Sequence, residues 1–478
     1  MSVVSLLARL EELEIDIDVV GEELKVKALP GTLDPVLIEE LKAKKREIIE
    51  FFRGVRKKTK YTSIDSSEKK EYYALSSAQK RLYILQQMDL KSIAYNRGQI
   101  VVLEGKPERQ HLHNTFRKLI QRHESLRTSF EMLDDEPVQK VHEEITFKIQ
   151  YNEPGIQEDK EGAVSNILKS FIRPFDLSLA PLLRVGLIKV AAEEYILAVD
   201  MHHIISDGVS HRVLIQDLMM LYEGKALFPL KVRYKDFSVW QQSAAGQKAL
   251  KRQEEYWIRT FEANVPVLNL LTDYTRPVLQ SFEGSLVQFE LSVEETISLK
   301  QMTQTRETTL FMVLLAIFNI FLSKLSNQEE IVVGIPTAGR KHADLEGIIG
   351  MFVNTLALYN LPSGDRTFTG FLKEVKNRTI EAFENQDYPL EKLVEKVGVE
   401  RDISRNPLFD IMFVLQNTSV PAVETDAGAV DMELAGKEIG QLKIKPYNYE
   451  DKISKFDLTL SVVERRNQLN FSFEYCTQ

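Results

Sequence analysis

The period of the hydrophobic pattern changes sharply near residue 200. Tyr195-Ile196-Leu197-Ala198-Val199 is an unbroken apolar run of strand length, and Val213, Leu214, Leu218 and Leu221 then recur at helical spacing. The segment therefore reads strand, tight turn, helix, with Met201-His202-His203-Ile204-Ile205-Ser206-Asp207-Gly208 at the junction. Such a junction projects polar side chains into a cleft and aims backbone N–H groups at it. Further runs predict strands at Ile100–Leu103 and Glu330–Pro336, a helix begun near Ser77 that includes Ile84 and Leu85, and a helix over Leu112–Ile120. Leu310–Leu322 is the most apolar stretch. It is too short to span a membrane and carries Asn319, so it reads as a buried core helix. Strands and helices mix without a repeat, which predicts a mixed α/β fold.

The first 55 residues have their own pattern. Val3, Leu6, Leu7, Leu10 and Leu13 give an amphipathic helix. Ile15–Val19 and Leu24–Ala28 each alternate with period two about Gly21-Glu22, as a hairpin does. Asp34 caps a following helix with Pro35 at its first position, and Leu37, Ile38, Leu41, Ile48, Ile49 and Phe52 form its apolar face. This is a small α+β unit of helix, hairpin and helices over 1–55. The polar stretch 56–71, with Arg56-Lys57-Lys58 and Ser66-Ser67-Glu68-Lys69-Lys70, reads as a linker.

Composition narrows the function. A chain of 478 residues suggests two or three domains. The net charge of −9 argues against nucleic acid as the main ligand. A single cysteine, Cys476, excludes an internal disulfide framework and zinc-finger spacing, and fits a reducing, cytoplasmic setting. The first residues lack a charged segment followed by a long apolar one, so no signal peptide is read there. No glycine-rich phosphate loop or dinucleotide fingerprint is present.

The junction carries the candidate chemistry. Histidine is the side chain best suited to moving a proton near neutral pH. Aspartate four residues on can hold the backbone or pair with an arginine, and Gly208 lets a substrate approach the main chain. Taken alone, a pair of satisfied core histidines explains the motif as well. A metal site built from His202, His203 and Asp207 is disfavoured, because adjacent residues on a strand point to opposite faces.

Six further segments place the chain. Ser77-Ala78-Gln79-Lys80-Arg81-Leu82-Tyr83, Arg122-His123-Glu124-Ser125-Leu126-Arg127-Thr128-Ser129-Phe130 and Tyr234-Lys235-Asp236-Phe237-Ser238-Val239-Trp240-Gln241 flank the histidines. Ile349-Gly350-Met351-Phe352-Val353-Asn354-Thr355-Leu356, Asn385-Gln386-Asp387-Tyr388-Pro389-Leu390 and Arg401-Asp402-Ile403-Ser404-Arg405-Asn406-Pro407-Leu408-Phe409 follow them. With the histidine segment they resemble, in order, the seven motifs of nonribosomal peptide synthetase condensation domains. There are departures. The family often has tryptophan at the position of Val209, arginine near Tyr359 and Asn360, and histidine at the position of Asn385.

The resemblance implies two chloramphenicol-acetyltransferase-like lobes in a V shape, 72–245 and 246–478, with a tunnel for two phosphopantetheine arms. These arms, on donor and acceptor carrier proteins, bring the substrates, and no tightly bound cofactor is implied. The acceptor amine attacks the donor thioester and an amide forms. His203 is the residue expected to meet the amine, as base or by positioning it, with the Gly208 amide toward the oxyanion. His202, Asp207 and Arg340 are expected to support the site, Arg340 as the partner of Asp207. No metal is implied. A downstream adenylation domain is expected, making the chain one piece of a multimodular enzyme.

The first 55 residues resemble tubulysin-synthetase-type docking domains, which bind the C-terminal tail of an upstream synthetase subunit. An exposed strand edge can add such a peptide, with Lys25 and Lys27 drawing an acidic tail. Neither nucleic acid nor membrane is expected as a partner. Epimerisation domains share the histidine motif and remain an alternative, as does a noncatalytic recruitment scaffold. Heterocyclisation domains replace the first histidine by aspartate, which His202 speaks against, and a coenzyme A acyltransferase fits poorly with a docking unit.

Overall fold

The computed structural model describes residues 16–20, 23–27, 37–38, 40–42, 44–45, 48, 64–154, 160–262, 265–398, 402–416, 438–447, 453–465 and 467–477. The chain forms two compact units, Met1–Ser63 and Ile64–Gln478.

In the first unit, strands Asp16–Val20 and Glu23–Lys27 pair antiparallel, with Asp18 opposite Lys25 and Asp16 opposite Lys27. The described residues between 37 and 48 are helical, and Leu37, Leu41 and Ile48 are buried there. Ile38, expected on the same apolar face, is half-exposed. The expected first helix, the Asp34 cap and the side chains of Lys25 and Lys27 lie outside the described residues.

The second unit is built on two six-stranded sheets. The first runs in the order Glu438–Ile439, Leu442–Pro446, Asn96–Glu104, Glu194–His202, Leu183–Ala191, Gln150–Asn152. The second runs Gly284–Glu290, Gln468–Cys476, Leu458–Arg465, Ile411–Gln416, Ile331–Thr337, Asn354–Asn360. The histidine strand Glu194–His202 is central in the first sheet and buried from Tyr195 onward. Its apolar run does not alternate because both of its faces are covered. Each sheet packs on its own hydrophobic cluster. In the second, helix Leu310–Ser326 buries Val313, Leu315, Phe318 and Leu322, and the amide of Asn319 donates to the Leu315 carbonyl at 2.8 Å. That bond satisfies part of a polar side chain inside an apolar helix. No single helix among the described residues is long and apolar enough to cross a membrane.

Two segments of the second half cross into the first. Leu345, Ile348, Ile349, Met351, Phe352 and Val353 belong to the cluster beneath the first sheet. Strand Leu442–Pro446 pairs antiparallel with Asn96–Glu104. A cut at 245/246 therefore follows the chain but not the packing. The expected linker over 56–71 is described only from Ile64 onward. Ile64 is buried in the first core, and Ser67 donates from N–H and Oγ to the Asp236 carboxylate at 2.9 and 2.6 Å.

Candidate active site

Strand Glu194–His202 ends in a single 3-10 turn, His203–Ile205, and helix Gly208–Tyr222 begins three residues later. The two histidines are both buried but are wired differently. Nδ1 of His202 accepts the Ile204 N–H at 3.1 Å, which leaves Nε2 as the protonated nitrogen, 3.1 Å from Oε1 of Gln86. Its ring meets Phe175 edge-on. Burial, then the neighbouring His203, Lys455 and Arg184, push the His202 pKa down to about 3. His202 is thus a neutral ring fixed by its surroundings.

His203 has the opposite tautomer. Its Nδ1 lies 2.7 Å from the Ser206 carbonyl oxygen, which can only accept, so Nδ1 carries the hydrogen. Nε2 then holds the lone pair. It lies 3.3 Å from Nη2 of Arg97. The His203 N–H donates to the Tyr95 carbonyl at 2.8 Å, and Lys455 lies over the Tyr95 ring at 5.3 Å. Tyr95 and Arg97 are site residues that sequence reasoning missed. They arrive through strand register, which sets Asn96 opposite His202. No local pattern announces that pairing.

Asp207 caps the helix. Its Oδ1 accepts the N–H and the hydroxyl of Ser210, both at 2.7 Å. The same oxygen accepts from Nη2 of Arg340 at 2.8 Å, and Oδ2 accepts the Phe352 N–H at 3.0 Å. The Arg340 side chain is itself buried, just ahead of the crossing segment. Its Nη1 donates to the carbonyls of Leu345 and Ile348 at 2.6 and 2.5 Å, and its guanidinium lies 4.1 Å from the Phe352 ring centre. Gly339 makes the preceding turn at φ +63°, where a Cβ would sit 2.0 Å from the Phe352 carbonyl oxygen. Gly208 takes the first position of the capped helix, where N–H groups have no intrahelical acceptor. His203, Gly208, His202, Asp207 and Arg340 are therefore gathered at one place.

Asp200, on the same strand, is fully buried, and Arg184 and Asn96 each donate to its Oδ2 at 2.9 Å. Burial outweighs these partners and pushes its pKa up to about 7. The other motif residues hold the frame. Arg122 Nε and His123 Nε2 both reach Oδ2 of Asp217, at 2.8 and 2.7 Å. Glu124 pairs with Lys235 at 2.5 Å and with Arg127 at 3.6 Å. The Asn354 amide donates to the carbonyls of Gln386 and Tyr388 at 2.8 and 2.7 Å and ties two loops together. Arg405 pairs with Asp410 at 2.7 Å, while Arg401 lies outside the described residues. Where the family often has an arginine, Tyr359 lines a separate cleft of about 450 Å³ with Tyr256, Trp257 and Arg378. Among the described residues no group of three or more His, Cys, Asp or Glu is placed to hold a metal.

The chain resembles known proteins over most of its length. Residues 69–478 match the profile described as Condensation domain, and residues 3–54 match the TubC N-terminal docking domain. The chain is 47% identical over 417 residues to gramicidin S synthase 2 of Aneurinibacillus migulanus, covering 87% of this chain and 9% of that protein. It is 42% identical over 467 residues to bacitracin synthase 2 of Bacillus licheniformis, covering 96% of this chain and 17% of that one. It therefore spans only a small part of these relatives. Among solved structures, the X-domain from teicoplanin biosynthesis superposes with a TM-score of 0.77 at 21% identity, covering 87% of this chain and 92% of that one. A four-domain nonribosomal peptide synthetase bound to AMP and glycine gives 0.75 at 22% identity, covering 88% and 32%.

Proposed function

Because the chain belongs to the condensation-domain family, we propose that it forms an amide between two carrier-bound thioesters, with His203 at the reacting centre. The observation that supports this most directly is the His203 tautomer. With Nδ1–H held by Ser206, Nε2 is the one ring nitrogen able to accept a hydrogen bond or a proton from an amine. The acceptor's neutral amine attacks the donor carbonyl and a C–N bond forms. The C–S bond then breaks and the sulfur leaves as thiolate, while the proton lost from nitrogen ends on that sulfur. His203 orients the amine and takes up its N–H, the Gly208 N–H serves the developing oxyanion, and a tunnel holding both phosphopantetheine arms supplies proximity. Asp207, Arg340 and His202 keep the turn in place and do not touch substrate.

In this reading the first unit recruits the C-terminal tail of an upstream subunit. Among the described residues strand Glu23–Lys27 pairs with one strand only, which offers an edge for strand addition. Lys25 and Lys27 attract an acidic tail. Lys25→Glu with Lys27→Glu is expected to weaken tail binding at low salt, and an unchanged affinity by calorimetry would remove that role. An adenylation domain downstream loads the acceptor carrier, and the single cysteine fits a cytoplasmic setting.

The test of the main reading is a condensation assay with two loaded carrier proteins, read by intact mass. Wild type is expected to move the donor acyl group onto the acceptor, and His203→Ala to stop transfer while leaving the fold intact. A folded wild type that transfers none of several donor classes would instead favour epimerisation or a scaffold.

A further inference from the structure

Both ring nitrogens of His203 are engaged in the resting protein. Nδ1–H is tied to the Ser206 carbonyl, and Nε2 lies 3.3 Å from Nη2 of Arg97. A guanidinium has no acceptor and keeps its proton at any working pH, so this contact runs from Arg97 to the Nε2 lone pair. That lone pair is the one the proposed mechanism assigns to the acceptor amine.

The main chain around this contact has little freedom. Arg97 lies on the stretch of its strand that pairs with the histidine strand, and Leu442–Pro446 pairs only with the far end of that strand, Val101–Glu104. Arg97 itself is opposite Met201, and the His203 N–H is held by the carbonyl of Tyr95 two residues before Arg97. The backbone therefore cannot carry the guanidinium away. The Arg97 side chain is only partly buried and has several rotatable bonds, so a change of rotamer can.

We infer that Arg97 is a positioning residue that holds Nε2 of His203 and is displaced by the acceptor amine. Two consequences follow. The imidazole, its tautomer already set by Ser206, waits in one orientation for the amine. Acceptor binding must also replace a charge-assisted contact, so Arg97 weakens acceptor affinity without touching the donor. This rests on the condensation reading above.

The test uses Arg97→Met, which keeps an unbranched stem and removes every donor, with Arg97→Lys as the conservative variant. The donor is a phenylalanyl-loaded carrier protein, and the acceptor is the leucyl thioester of N-acetylcysteamine. Arg97→Met is expected to lower the acceptor KM by about tenfold, the effect of removing one competing hydrogen bond. Its donor KM should stay near wild type, and Arg97→Lys should return the acceptor KM toward wild type. In substrate-free protein labelled with 15N-histidine, the Nε2 resonance of His203, assigned by its loss in His203→Ala, should move in Arg97→Met while Nδ1 stays protonated.

A purely structural role would shift both KM values and the melting temperature together and would overturn the inference. So would an unmoved Nε2 resonance, or a kcat that falls at constant acceptor KM. If the wild type transfers nothing, the condensation reading fails and displacement with it. If the wild type transfers and only the Arg97→Met result is absent, this inference alone fails.

Discussion

Adjacent side chains of one type do different work here because the backbone assigns their protons. In His202 a backbone N–H claims Nδ1, whereas in His203 a backbone carbonyl claims it. The first ring is left neutral and buried, with its pKa at about 3 against 6.5 for a free histidine. Between those values the unfolded chain binds a proton at this site and the folded one does not, so stability falls as pH falls through that window. The cost is about 2 kcal/mol at pH 5. Asp200 has the opposite sign. Its pKa is raised to about 7, so the folded state holds the extra proton and stability from this group falls as pH rises between about 4 and 7. The wild-type curve alone mixes the two. The difference between wild type and His202→Gln separates them, since Asp200 is common to both. That difference in unfolding free energy is expected to shrink by about 2 kcal/mol from pH 7 to pH 5. A constant difference in urea titrations at the two pH values would show that His202 protonates in the folded protein.

The turn from strand to helix works as an element because Asp207 serves three partners from one carboxylate. It caps the helix through Ser210, holds the Phe352 N–H, and neutralises the buried Arg340. Asp207→Ala would leave that guanidinium without its counter-charge, and the expected loss is about 3–5 kcal/mol. Equilibrium urea unfolding measures it. Lost turnover with an unchanged midpoint would instead make Asp207 a participant in the chemistry. This element was largely legible in the sequence. The change from an apolar run to helical spacing places the strand and the helix, and the aspartate at the junction suggests a backbone or arginine partner, though not a helix cap. The Arg340 partner is suggested by the family resemblance and not by periodicity. Arg97 and Tyr95 are suggested by neither, for a physical reason. Their place beside His203 depends on a register between strands about a hundred residues apart, and periodicity reports only which face a residue takes. The crossing strand Leu442–Pro446 was hidden in the same way, being short and paired with a segment more than three hundred residues away.

At the scale of the whole second unit, the crossing segments decide how it unfolds. A unit built on two six-stranded sheets, each with its own main core, could lose one half at a time. Residues 343–353 oppose this, because they leave strand Ile331–Thr337 of the second sheet, fill the first core, and return as strand Asn354–Asn360. Ile349 is fully buried in the first core, and its carbonyl accepts the Ser125 hydroxyl at 2.6 Å. Met351 and Gly350 on the same stretch accept from Tyr234 and Ser210. Melting the first core therefore frees the loop that joins two paired strands of the second sheet. The expected result is coupling. Ile349→Ala, at a cost of about 2–5 kcal/mol for a buried large-to-small change, should raise hydrogen exchange in both sheets by similar factors, including in strand Ile411–Gln416, which pairs with Ile331–Thr337. Faster exchange confined to strands Asn96–Glu104, Leu183–Ala191 and Glu194–His202 would mean that the lobes open separately. The crossing segment would then anchor the site without joining the folding of the two halves.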